Sequence, residues 1–238
     1  MLSFCYTYKI MTAKLYVVAT PIGNLEDITI RALRILKEVD VVLCEDTRVT
    51  GKLLHHYEIK ADMISYHANS KLSKTEKIIE LLREGKEMAL VSDAGTPTIS
   101  DPGVQLIQII TQEQDLSVDI IPIPGASALI TALSVSGFNG NQFTFFGFLP
   151  HKKGRQTLFQ EIAENKRISI FYESPHRIEK TLESLTEFLD ENQEIVIARE
   201  LTKMYEQVVR GTAQEVHDYF KENQDKVRGE FVVLVSGY

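Results

Sequence analysis

Val91-Ser-Asp-Ala-Gly-Thr-Pro-Thr-Ile-Ser-Asp-Pro-Gly103 decides how this chain is read. Ahead of it, Met88 to Val91 reads as a buried strand; behind it, Val104 to Ile110 reads as an apolar helix. A strand-to-helix turn needs about two to six residues. This one is longer and crowded with Asp, Pro, Gly and hydroxyl side chains. A small polar loop at the carboxyl end of a strand is where open α/β sheets hold ligands.

Working outward, the first half alternates strand and helix. Leu15–Ala19, Val39–Cys44, Met63–Tyr66, Met88–Val91 and Val118–Ile123 read as strands. Helices are expected over Thr29–Glu38, over Val49–His56, and after Ser73-Lys-Thr-Glu76, which has the form of a capping box. Continuous apolar strands separated by helices predict a five-stranded parallel sheet covered on both faces.

Past Pro124-Gly-Ala-Ser127 the texture changes. A helix over Ala126–Ser136 is followed by strands at Phe143–Leu149, Ile168–Tyr172, Glu194–Ala198, Tyr205–Gly211 and Glu230–Ser236. Two helices are expected among them, Pro175–Leu189 and Ala213–Phe220. The segment between Ala198 and Tyr205 is too short for a crossover helix, so those strands should pair antiparallel. The expected organisation is an extension over 1–13, an α/β domain over 14–124, and a second α/β domain with a mixed sheet over 125–238.

Of the 238 residues, 44% are hydrophobic and 25% charged, ordinary values for a globular protein. No apolar run reaches the ~20 residues that span a bilayer, and no membrane partner is expected. Cys5 and Cys44 are too few for a disulfide framework, and the cytoplasm is the expected compartment. The His residues lack metal-ligand spacing, so no metal is expected. A net charge of −7 argues against bulk nucleic-acid binding but leaves room for a local basic patch. Ala19-Thr-Pro-Ile-Gly-Asn-Leu25 carries one Gly where a dinucleotide-binding turn needs several, which disfavours a dinucleotide cofactor.

Taken with Cys44-Glu-Asp-Thr-Arg48, Pro124-Gly-Ala-Ser127, Phe171-Tyr-Glu-Ser-Pro-His-Arg177, Ala198-Arg-Glu-Leu-Thr-Lys203 and Gly229-Glu-Phe231, these segments resemble the ribosomal RNA small subunit methyltransferase I family, of the tetrapyrrole methylase fold. The resemblance runs from about residue 14 to 236. It implies methyl transfer from S-adenosyl-L-methionine to the ribose 2′-hydroxyl of a cytidine in the decoding centre of 16S ribosomal RNA in the small subunit. It also implies a homodimer, and a cofactor lying between two α/β domains. Carried onto this sequence, it places Asp93, Ala94, Gly95, Ile99, Ser100, Ala126, Ser127, Tyr172, Ala198 and Glu230 at the cofactor, and Pro21 and Gly23 nearer the substrate.

The methyl of a sulfonium is already activated, so positioning dominates: alignment contributes roughly 7–11 kcal/mol, against about 10²–10⁴-fold for a general base. Glu173, Glu200 and Lys203 are the candidate catalytic residues, and Lys203 would need a depressed pKa to act as a base. For RNA, the densest basic run is His151-Lys-Lys-Gly-Arg155; Lys152, Lys153 and Arg155, with Arg177 and Arg199, are the candidate substrate contacts. Two rival readings are a small-molecule methylase acting on tetrapyrrole precursors and a non-catalytic RNA-binding assembly factor.

Overall fold

The computed structural model describes residues 12–67, 70 and 72–238. Most of the expected N-terminal extension lies outside them. The chain divides into two compact units, one formed by the described residues through Pro21 with Leu25–Ala126, the other by Ile22–Asn24 with Ser127–Tyr238.

The first unit holds β1 (Ala13–Val18), β2 (Val41–Cys44), β3 (Asp62–Ser65), β4 (Met88–Leu90) and β5 (Val118–Ile123). They form a wholly parallel sheet in the order β3-β2-β4-β1-β5. Between them run α1 (Ile30–Glu38), α2 (Thr47–His56), α3 (Leu72–Arg83) and α4 (Val104–Gln112). Strand alternation sends Tyr16, Val18, Val42 and Cys44 toward α1 and α2, where Ala32, Leu36 and Leu54 complete one core. Leu15, Leu43, Met88 and Leu90 face the other way and pack with Ile78 and Leu82 of α3 and Leu106 of α4. Both faces are covered, as continuous apolar strands require. Two boundaries differ from expectation. Ala13, placed in the extension by sequence, opens β1 and is buried. Ser73 lies inside α3, so it does not cap that helix.

The second unit opens with α5 (Ala128–Ser136) and continues through β6 (Phe143–Phe148), α6 (Arg155–Glu164), β7 (Ile168–Glu173), α7 (Ile178–Phe188), β8 (Glu194–Arg199), β9 (Gln207–Thr212), α8 (Ala213–Glu222) and β10 (Phe231–Val235). The sheet order is β6-β7-β10-β8-β9, with β6 parallel to β7 and every other pairing antiparallel. One face, carrying Phe171, Ile195, Ile197, Phe231 and Val233, packs on Phe159 of α6, Leu182 of α7 and Phe220 of α8. Burying side chains of this size contributes roughly 1.5–3 kcal/mol each. α5 packs against β10.

Helix α6 is the element the sequence reading lacks. Its apolar spacing, Phe159, Ile162 and Ala163, comes directly after the basic run, which reads as a surface loop. Helix α7 begins at Ile178, because Ser174–Arg177 form a turn in which the Ser174 carbonyl accepts from the amides of Arg177 (3.0 Å) and Ile178 (3.1 Å). The capping box at Thr212 and Glu215 is present at the start of α8.

Candidate functional site

In the first unit the carboxyl ends of β1, β2, β4 and β5 run into Pro21, Glu45–Asp46, the 91–103 loop and Pro124–Ala126. The long loop is tied back to β1. The amide of Thr20 donates to the Gly95 carbonyl (2.9 Å) and the amide of Gly95 to the Thr20 carbonyl (3.0 Å). The buried Thr20 hydroxyl donates to the Ser92 carbonyl (3.1 Å), and Thr96 Oγ1 donates to the Ala126 carbonyl (3.1 Å). These bonds buttress a loop whose Thr98 and Ser100 hold φ of +74° and +62°. A non-glycine residue there costs about 1–2 kcal/mol, a strain that clusters at ligand sites.

Asp93, Ala94, Ile99 and Ser100 are exposed on this rim, whereas Gly95 is buried beneath it and Ala126 and Ser127 are half-buried. Asp93 Oδ1 accepts from the amide of Asp46 (3.1 Å). Asp46 caps α2 through the Arg48 amide and pairs with the Arg48 guanidinium (2.6 Å). Chiefly through the Arg48 side chain, its carboxyl is held down to about 2. Burial pushes Asp101 the other way, up to about 6, against a hydrogen bond from Ser92 and helped by the charges of Glu45 and Asp93. Asp101 escaped sequence reasoning because its burial depends on how the loop folds back.

In the second unit the expected residues are sorted by strand alternation. Val232 of β10 pairs with Tyr172 on one side and Ala198 on the other, so two expected cofactor residues share one cross-strand row. Their chain neighbours, Glu173 and Arg199, flank Phe231 on the opposite, core-facing side.

Glu173 is 1% exposed and occupied on both oxygens. Oε1 accepts from Arg177 Nε (3.1 Å) and the Ser174 amide (2.9 Å); Oε2 accepts from Thr181 Oγ1 (2.7 Å) and Arg155 Nη2 (3.3 Å). Arg155 and Arg177 reach onward to the carbonyls of Pro150 (3.2 Å) and Leu149 (2.6 Å). The three residues form a latch on the β6–α6 connection, and this placement lends no support to Glu173 as a proton acceptor or to the two arginines as free RNA contacts. Arg199 is 6% exposed and donates to Gln207 Oε1 (3.3 Å); its Nε has no hydrogen-bond partner among the described residues. Lys152 and Lys153 stand exposed on the connection itself.

The other candidates converge after β8. Lys203 Nζ donates to Glu200 Oε1 (2.8 Å) and Glu230 Oε2 (2.9 Å), and Glu200 Oε1 also accepts from the Glu230 amide (3.1 Å). Burial disfavours charge on both groups, yet the pairing prevails: Glu200 is held below the ordinary carboxylate range and Lys203 is raised above the ordinary lysine value. A neutral Lys203, which a base role requires, is therefore opposed by its surroundings. Gly23 lies against this cluster, where a Cβ would collide with the Lys203 stem. Glu200 and Thr202 have φ of +48° and +66°. Among the described non-glycine residues, only Glu58 besides these and the two in the 91–103 loop has positive φ. Strain thus concentrates in the loop singled out by composition and in the 200–202 turn, which lies in a segment that carries the family resemblance.

The model of the Tetrapyrrole (Corrin/Porphyrin) Methylases matches residues 14–217, and solved structures agree on the fold. A cobalt precorrin-4 methyltransferase superposes with a TM-score of 0.67 at 19% identity, covering 94% of both chains. Uroporphyrin-III C-methyltransferase from Thermus thermophilus, complexed with S-adenosylhomocysteine, superposes at 0.64 and 18% identity, covering 94% of this chain and 97% of that one. Sequence likeness is much closer to two bacterial proteins named ribosomal RNA small subunit methyltransferase I. The one from Bacillus subtilis is 48% identical over 224 residues, 94% of this chain and 75% of the relative. That from Thermotoga maritima is 46% identical, over 94% of this chain and 98% of the relative. The chain belongs to the ribosomal RNA small subunit methyltransferase I family, within the tetrapyrrole methylases.

Proposed function

We propose that this methyltransferase transfers a methyl group from S-adenosyl-L-methionine to small-subunit ribosomal RNA, at the 2′-hydroxyl of a cytidine ribose in the decoding centre. The observation that carries the reading is the likeness to ribosomal RNA small subunit methyltransferases I over 94% of the chain. A cytoplasmic homodimer working on the small subunit goes with it.

The donor set on the first unit's rim fits such a cofactor. Asp93 offers an exposed carboxylate for a ribose diol, Ile99 (40% exposed) an apolar surface for an adenine, and Ser100 a hydroxyl. Gly95 and Ala126 bring main chain to the same rim, and Ser127 is assigned to the cofactor as the next residue in the chain. In the second unit Tyr172, Ala198 and Glu230 are assigned to the cofactor. When bound, the cofactor supplies an electrophilic methyl on a sulfonium sulfur. The chain's own work is to hold the ribose hydroxyl in line and exclude water. Glu200, kept ionised beside Lys203, is assigned to accept the hydroxyl proton; Lys203, kept cationic, orients it, and Gly23 admits the Lys203 stem. Pro21, Lys152 and Lys153 are assigned to the RNA side.

The test uses labelled methyl donor and small ribosomal subunits lacking the modification. Label recovered in a single 2′-O-methylcytidine is expected. Label on a base, or none on RNA but transfer to a tetrapyrrole, would replace this reading.

A further inference from the structure

Strand β6 pairs with β7 in register at Phe145 and Ile170, but the next pair is Phe148 with Tyr172. Three steps on β6 thus match two on β7, and Gly147 takes up the extra residue at φ +63°. Unbulged pairing would set Phe148 opposite Glu173, on the core side. The bulge instead puts Phe148 on the face of Phe145 and Tyr172. Tyr172 makes edge contacts to both, with centroids 5.0 Å from Phe145 and 5.4 Å from Phe148. Phe148 ends one cross-strand row with Tyr172, Val232 and Ala198, and 58% of it is exposed.

The backbone just after Phe148 is held still. Leu149 is buried, and the Leu149 and Pro150 carbonyls are gripped by Arg177 and Arg155, both anchored on Glu173. Beyond this latch His151, Lys152 and Lys153 project into solvent. The result is an aromatic ring braced from behind, with exposed cations a few residues away, on a chain whose net charge is −7. Single-stranded nucleic acid is recognised by this combination: bases stack on aromatic rings and phosphates meet nearby Lys or Arg.

We propose that Phe148 is a nucleobase-stacking residue for the RNA substrate, presented by the Gly147 bulge and the Glu173 latch. The proposal rests on the RNA reading above and adds a specific contact to it. A nucleobase face could also come from the adenine of the cofactor, but the adjoining lysines match a polynucleotide.

The test compares wild type, Phe148→Ala and Phe148→Trp for binding to a cytidine-bearing single-stranded RNA and to an abasic ribose-phosphate strand of equal length. Stacking predicts roughly 5- to 150-fold weaker binding of the cytidine strand by Phe148→Ala, recovery in Phe148→Trp, and no change on the abasic strand. Equal loss on both strands, or no loss, would overturn the proposal. So would weaker S-adenosylhomocysteine binding, which would assign the ring to adenine, or dissociation of a wild-type dimer, which would assign it to a second copy. Methyl transfer by the wild type to small subunits is measured alongside. Its failure would remove the RNA reading itself, whereas transfer with unchanged Phe148→Ala binding removes only the stacking role.

Discussion

The two faces of the second sheet are built from adjacent residues put to opposite uses. Tyr172 and Ala198 lie on one face; Glu173 and Arg199, each the next residue, lie on the other among Phe231 and the helices. The core-facing side carries Glu173 and Arg199 among its apolar groups, and the opposite side carries Tyr172, Val232 and Ala198 in one row. The difference teaches that charge in a motif need not mean chemistry. Here Glu173 spends its capacity on Arg155, Arg177 and Thr181 and so fixes the backbone of a neighbouring segment.

The sharpest way to break this comparison is Glu173→Ala. Removing the acid leaves two largely buried guanidinium groups without a counter-charge, which costs about 3–5 kcal/mol. Urea unfolding of the second unit should show that loss, with a Tm ~6–20 °C lower. Stability within about 1 kcal/mol of wild type, combined with lost methyl transfer, would return Glu173 to catalysis.

Asp93 is the contrasting acid: exposed, and hydrogen-bonded to a main-chain amide. Asp93→Ala should weaken S-adenosylmethionine binding by about 10- to 150-fold, the effect of losing a hydrogen bond to a charged group. RNA binding should stay near wild type in the same calorimetric series. If RNA binding fails instead, the assignments of donor and substrate residues are reversed.

A smaller effect is expected at Asp101. Its folded pKa, raised to about 6, exceeds its unfolded value, so the folded state binds more protons between about pH 4 and 6. Stability from this group is therefore present at low pH and is lost as pH rises through about 6. Discounted for partial exposure, the loss is about 1 kcal/mol, or ~2–4 °C in Tm. Asp101→Asn should be relatively more stable than wild type at about pH 7.5 than at about pH 4; a pH-independent difference would show that burial is not the cause. The smallest change belongs to the exposed lysines. Replacing Lys152 and Lys153 with Gln should flatten the salt slope of RNA binding by about 1.4 if both meet phosphates. An unchanged slope would detach the connection from the RNA.

The sheets were legible because strands announce themselves in apolar runs, wholly buried at Val41–Cys44 and largely part-exposed in the edge strand Val118–Ile123; the 91–103 loop was legible from composition, and the 198–203 loop through the family resemblance. The sorting of charges was not. Sequence places the ends of β7 and β8 at Tyr172 and Ala198, while the ladder extends each by one residue. That single residue decides the matter, since within a strand Glu173 and Arg199 must face opposite to their neighbours. Helix α6 was hidden for a related reason: Gly154, at its N-cap, makes no side-chain capping bond, so no start signal marks it. The Phe148 ring was missed because a bulge inverts the expected alternation, and no residue-by-residue pattern shows a bulge.

The Thr20–Gly95 bridge has a consequence for how the protein depends on its ligand. It joins positions 75 residues apart, so the rim around Asp93 exists only when β1 and β4 are already assembled. A molecule that recognises this rim discriminates against the unfolded chain and stabilises the first unit by mass action, by about 2.7 kcal/mol at roughly a hundred times its Kd. Under the proposed function, the cellular supply of methyl donor would set how much of the enzyme stays folded as well as how fast it works.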